Sequence, residues 1–248
     1  MNKLFLFFVT VALFTAVSAP SFAAPDRNCP AKVIVGLYLN QLRELDLKTS
    51  RFEADFWLWF RWKGEDVNPS RSFEIVGGSY SLQGEPIESA GEGFRYASMR
   101  VRAVIYQPFD VGRFPLDDHW LQITIEDNQN EAHKLAYAAD VENSRVDPGV
   151  DLPGWIVDHT AMNVTTYSYR TNYGDVSLPS GSISQYSRFA FQVHIRRPGT
   201  LLFWKLFWGL LIATSISILC LFISPLHLDA RFGLCVGSLF ASVASAYG

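Results

Sequence analysis

The chain has 248 residues, 49% hydrophobic and 15% aromatic, with a formal net charge of -3. That balance excludes the basic footprint of a nucleic-acid binder and supplies enough apolar material for a core with some left for a membrane. Its three cysteines, Cys29, Cys220 and Cys235, are too scattered for a disulfide framework, and the last two fall in apolar segments.

Taken in order, the chain opens with Lys3, an apolar run from Leu4 to Val17, and Ser21-Phe22-Ala23, a small-x-small cleavage pattern. Residues 1–23 read as a secretory signal peptide, with an uncleaved anchor as the alternative. From Lys32 to Arg197 the apolar residues recur with period two: Val33, Val35, Leu37 and Leu39, then Leu121, Ile123 and Ile125, then Phe189, Phe191, Val193 and Ile195. Further runs lie near 72 to 83, 94 to 106, 133 to 138 and 155 to 170. Nine or ten short strands with no helix predict an all-β, immunoglobulin-like antiparallel sandwich over residues 24–198.

The stretch from Arg51 to Trp62 alternates most clearly. Phe52, Ala54, Phe56, Leu58, Phe60 and Trp62 form a core stripe, which leaves Trp57 and Trp59 on the face that also bears Arg51, Glu53, Asp55 and Arg61. Two tryptophans on a charged face are covered either by a ligand or neighbouring subunit, or by a local cross-strand cluster. The run from Phe94 to Tyr106 carries Tyr96, Arg100 and Arg102 on its polar face.

Gln107 to Leu121, QPFDVGRFPLDDHWL, is bracketed as a loop by Pro108 and Pro115. Its apolar Phe109, Val111, Phe114 and Leu116 predict that it presses on another apolar surface. Between Asp140 and Asp151 the acidic segment offers hard oxygen ligands without EF-hand spacing, and it reads as a solvated loop rather than a cation site. Tyr167, Tyr169, Tyr173 and Tyr186 surround a Gly/Ser/Pro-rich hairpin tip, as a mobile capping loop would. Their ring faces suit a cationic amine, whereas Arg100 and Arg102 suit a carboxylate.

Leu201 to Ile223 is a mostly apolar run of 23 residues, about 34 Å as a helix against roughly 30 Å of hydrocarbon, and it is expected to span. Trp204, Lys205 and Trp208 belong at the interface. The signal peptide places the β domain outside, against the weaker pull of the preceding arginines. After a turn at 224–229, a second apolar helix covers 230–248, where Gly233, Gly237, Ala241 and Ser245 form a small-xxx-small stripe suited to helix packing. No GxSxG or HExxH is present and the five histidines are scattered, so no enzyme is expected. No cofactor or metal is expected either.

Phe114-Pro115-Leu116-Asp117, followed by His119, resembles the signature loop of the pentameric ligand-gated ion channels, the Cys-loop receptor superfamily. Gln107 and Leu121 hold its two cysteine places, as in the prokaryotic branch that lacks the disulfide. The resemblance runs in order over nearly the whole mature chain. It implies a homopentamer in the inner (plasma) membrane, with a small-molecule ligand bound between periplasmic β domains and coupled to a pore for inorganic ions. The ligand site between subunits would take Trp57 and Trp59 from the strand on its complementary side, with Arg100, Arg102, Tyr167, Tyr169, Tyr173 and Tyr186 as the next contributors. Asp46, Phe114, Pro115, Asp117, Arg196 and Arg197 would couple the β domain to the membrane. Gly233, Gly237, Phe240 and Ala244 would line the pore, with Phe240 near a constriction that gates by dewetting. The family's Trp-x-Pro turn is missing near Asn68-Pro69. The family has four membrane helices per subunit and this sequence supplies one and most of another, so a subunit truncated within its second helix is expected. A membrane-tethered periplasmic binding module without a pore is the alternative.

Overall fold

The period-two segments become strands because each offers one apolar face to bury and one polar face to solvate. A computed structural model describes residues 29–247 apart from 92, 175, 177, 178 and 180; the signal-peptide segment lies outside the described residues. Strands β1 (Ala31–Asp46) and β2 (Arg51–Trp62) lead to a single helical turn, α1 (Pro69–Ser72). Then follow β3 (Phe73–Ile75), β4 (Gly78–Leu82), β5 (Ile87–Gly91), β6 (Phe94–Tyr106), β7 (Asp118–Asp127) and β8 (Leu135–Ala139). The domain closes with β9 (Arg145–Val146), β10 (Ile156–Tyr169) and β11 (Ser184–Arg196).

These make two sheets. One has seven strands in the order β4-β6-β2-β1-β8, with β5 added to β6 and β9 to β1; the other has four, β10-β11-β7-β3. Phe52, Phe56, Leu58 and Phe60 of the larger sheet and Ile123, Ile125, Phe189 and Phe191 of the smaller are all 1% exposed or less. Each such side chain contributes roughly 1.5–3 kcal/mol of burial.

Three details differ from the sequence reading. The sandwich is not wholly antiparallel, because β8 and β9 join the free edge of β1 in parallel after the chain crosses from β7 in the other sheet. β5 is exposed along its whole length and β9 is two residues long, so neither carries a periodic signal. The turn α1 is absent from a reading by period, since four residues hold no stripe.

Three residues past Arg196 the chain becomes helical. α2 (Gly199–Cys220) and α3 (Leu228–Tyr247) include apolar stretches, Leu202–Cys220 and Leu228–Ser245, long enough to cross a membrane. They pack through small groups: Ser217 Oγ lies 2.8 Å from Ser238 Oγ, and the Cys220 and Cys235 sulfurs are 3.4 Å apart. A Cβ on Gly209 would sit 2.8 Å from Ser245 Cβ and collide with its hydroxyl. The contact face of α3 therefore runs through Cys235, Ser238 and Ser245, spaced by three and seven residues. The predicted stripe meets it at Ser245, whereas Gly233 and Gly237 have open space where a side chain would be. Gly209→Leu is expected to push the two helices apart. Mild oxidation should cross-link Cys220 to Cys235 readily in the wild type and markedly more slowly in the variant, as read by mass spectrometry; equal rates would show that the close approach at Gly209 does not hold the pair.

Candidate functional site

The β10–β11 ladder sets Tyr167 opposite Tyr186 and Tyr169 opposite Ser184, and the tip brings Tyr173 back over them. The Tyr169 ring centroid is 4.9 Å from that of Tyr167, 5.8 Å from Tyr186 and 6.0 Å from Tyr173. The predicted tyrosine cluster thus forms, and two strands beside it add acids that periodicity did not single out. Glu74 of β3 pairs with Glu126 of β7 across the ladder. With Asn128, Tyr169, Tyr173 and Tyr186 they line a cavity of about 210 Å³.

Two facing carboxylates repel, and Arg188 resolves half of the conflict. Its guanidinium bonds Glu126, donates to Tyr169 Oη at 2.6 Å and lies 3.5 Å over the Tyr167 ring. Glu74 has no ion pair among the described residues. Burial, and then the charge of Glu126, raise its pKa above the ordinary carboxylate range. The cavity therefore sets aromatic rings beside a carboxylate that has no ion-pair partner among the described residues, with the charge of Arg188 nearby partly offsetting the repulsion.

The tryptophans lie on the outer face of the other sheet. Trp59 is covered by its own chain: Nε1 donates to Asp140 Oδ2 at 3.1 Å, and the ring lies over Gly36, where an added Cβ would come within 2.6 Å of Nε1. The acidic segment is solvated along most of its length, with Glu142, Asn143 and Asp151 exposed, but two of its acids are engaged by the chain. Asp140 is buried and takes 2.7 Å from Asn143 Nδ2, its N–H donates to Val35 O at 2.8 Å, and Tyr38 Oη donates to Asp147 at 2.8 Å. These contacts satisfy part of the edge of β1. Trp59, Arg61, Tyr96, Asp140 and Asn143 line an open cleft of about 330 Å³.

Trp57 stands between Tyr38 and Arg100 in the ladder. Arg100 and Arg102 converge on Asp55, which is 1% exposed, with Nε to Oδ1 at 2.9 Å and Nη2 to Oδ2 at 3.6 Å. Burial pushes the Asp55 carboxyl up, but the hydrogen bonds from Arg100 and Asn40 and both positive charges hold it below the usual range. Both arginines thus answer a carboxylate of their own chain, while their side chains stay 43% and 40% exposed. Within one chain the tryptophan face and the tyrosine cavity belong to different sheets, so one ligand meets both only where two chains adjoin.

At the end of the sandwich next to α2, Asp117 is buried between His119 Nε2 and Arg197 Nε, each 2.9 Å away, while Arg197 N–H donates to Asp117 O at 3.3 Å. Arg197 lies 4.2 Å over Trp155 and 5.2 Å over Phe114, next to Pro115, whose peptide is cis. Phe114, Val111 and Leu116 are exposed, leaving an apolar loop surface. Asp46 does not join this network. It caps its own turn through Lys48 N at 2.9 Å and Thr49 Oγ1 at 2.7 Å. Arg196 does not join either: it is exposed and faces Asp118 across the ladder, while its neighbour Arg197 turns inward. His119, which the resemblance includes only as following the loop core, and Trp155 join the network as well; His119 shares the inward parity of Leu121, Ile123 and Ile125.

No protein-family model and no curated protein matches the chain. Function therefore rests on geometry. On α3, Gly233, Gly237, Phe240 and Ala244 are exposed and lie off the face that meets α2.

Proposed function

We propose that this chain is a subunit of a pentameric-type ligand-gated ion channel, with its β domain outside the plasma membrane and a small cationic amine as its ligand. One observation carries the reading. β11 begins at the tyrosine cavity with Ser184 and Tyr186, and ends at Arg196, beside the Asp117–Arg197 pair and three residues before α2. Thirteen residues of strand, roughly 40 Å, form one stiff connection from cavity to membrane helix. Closing the hairpin over a cation would load that connection, and the exposed Phe114 and Leu116 of the FPLD loop would bear on the membrane side. The face of α3 that α2 leaves uncovered, with Phe240, is where further subunits would complete a pore.

The full chain in detergent is expected to bind n-butylamine and tetramethylammonium but not acetate in calorimetry. Tyr169→Ala and Tyr186→Ala should each weaken binding about tenfold, in line with roughly 0.5–2 kcal/mol per cation–π contact. A cation favours ionised Glu74, so affinity should fall as pH drops through that group's raised pKa, and Glu74→Gln should flatten the profile. Acetate binding in place of amine would sink the ligand assignment. Native mass spectrometry giving five copies, and amine-dependent ion flux from liposomes, test the channel; amine binding by a monomer without flux would make the protein a tethered binding module.

A further inference from the structure

We infer that Asp158, His159 and His194 form a binding site for a divalent cation of the zinc class on the outer face of the four-stranded sheet. The site stands apart from the tyrosine cavity and does not depend on the channel reading.

Its basis is a β-bulge. Val157 pairs with Ile195 and Thr160 with Val193, so Asp158 and His159 together oppose the single residue His194. In regular pleat two consecutive residues point to opposite faces; the bulge re-aims one of them and brings both to the same partner. His159 Nδ1 lies 3.1 Å and His194 Nδ1 3.3 Å from Asp158 Oδ2, and the three ligand atoms fall within 4.8 Å of one another. Bonds of about 2.0–2.1 Å to a tetrahedral zinc place neighbouring ligand atoms roughly 3.3 Å apart. The donor set needs little movement to close on such an ion, and its exposure leaves a fourth position for water.

The surroundings complete the case. His194 Nε2 is 3.0 Å from Asp118 Oδ2, a carboxylate behind the ring that would accept an Nε2–H while Nδ1 ligates a metal ion. Both nitrogens of His194 thus face carboxylate oxygens. A metal ion on Nδ1 with the N–H on Nε2 satisfies both contacts at once. Trp120 packs against both rings, with centroids 5.0 Å from His159 and 4.9 Å from His194, and holds their planes. Besides the histidines, Arg196 acts on Asp158 from the same ladder, and Arg113 and His119 act on Asp118. An ion here would pin β10 to β11 three residues before Arg197.

Full chain in detergent should bind one Zn²⁺ per chain by calorimetry, and Co²⁺ should give the visible absorption of a tetrahedral site that Zn²⁺ abolishes. Cu²⁺ should quench the Trp120 component of the fluorescence, a loss absent from Trp120→Phe. Zn²⁺ affinity should fall at least tenfold in His194→Ala, His159→Ala and Asp158→Asn, each checked for an unchanged melting curve. Asp118→Asn should weaken binding by roughly 10–100-fold without changing the stoichiometry, and His133→Ala should leave it intact. Absence of Zn²⁺ binding, affinity unmoved by the three ligand variants, or loss of binding only on Cys29→Ser would each overturn the assignment.

Discussion

Asp117→Ala is expected to destabilise the β domain by about 3–5 kcal/mol, the range for removing one partner of a buried ion pair. The Asp117 side chain is 1% exposed and that of Arg197 16%. Removing the carboxylate leaves the guanidinium against Trp155 and Phe114 with no counter-charge, and His119 loses its only ion-pair contact among the described residues. Denaturant unfolding of the full chain, followed by tryptophan fluorescence, measures the loss. A value under about 1 kcal/mol would mean that the pair behaves as a solvated surface bridge.

The pH dependence of the same pair has a definite sign. Burial raises the Asp117 pKa, but hydrogen bonds from His119 and Arg197 outweigh it and hold the folded value below the ordinary one. The stability it contributes is therefore fully present above the unfolded pKa of about 3.9 and is lost as pH falls through the lower folded value. The gap between wild type and Asp117→Asn should be constant near neutrality and shrink only below about pH 4.

The sandwich was legible because period two records which side of a strand is buried. Phe52 to Trp62 and Leu121 to Ile125 needed no partner to be placed, and the bounds of β6 followed from the same signal. What was not legible depends on pairs far apart in sequence. Nothing local to Trp59 says that Asp140 will cap its indole, and nothing local to Glu74 says that Glu126 will stand opposite it. Asp55 occupies a polar-face position yet is buried, because Arg100 and Arg102 arrive from β6. The Asp158–His159 bulge is invisible for a further reason: a one-residue register shift is a property of two strands together. The tyrosine cluster was legible because a hairpin is local, whereas its acidic floor was not.

Arg188→Ala should be about as damaging as the loss of Asp117, again about 3–5 kcal/mol, and it reaches the cavity directly. Arg188 neutralises Glu126, whose side chain is 3% exposed, and also clamps Tyr167 and Tyr169. Without it, Glu74 and Glu126 face each other uncompensated across the ladder. The variant can relieve this by protonating one carboxyl, which raises that group's folded pKa. Its stability is then greatest at low pH and declines as pH rises through the raised value, so the deficit against wild type should be largest near neutrality and narrow on acidification. Adding Glu126→Gln should restore a large part of the loss, since the charge that Arg188 answers is then gone; the remainder measures the tyrosine contacts. Arg188→Lys should fall between the two, because an ammonium keeps the charge but not the planar fork that binds Glu126 and Tyr169 together. If the double variant is no more stable than Arg188→Ala, the stacking on Tyr167 and Tyr169, and not the buried charge, is what Arg188 supplies.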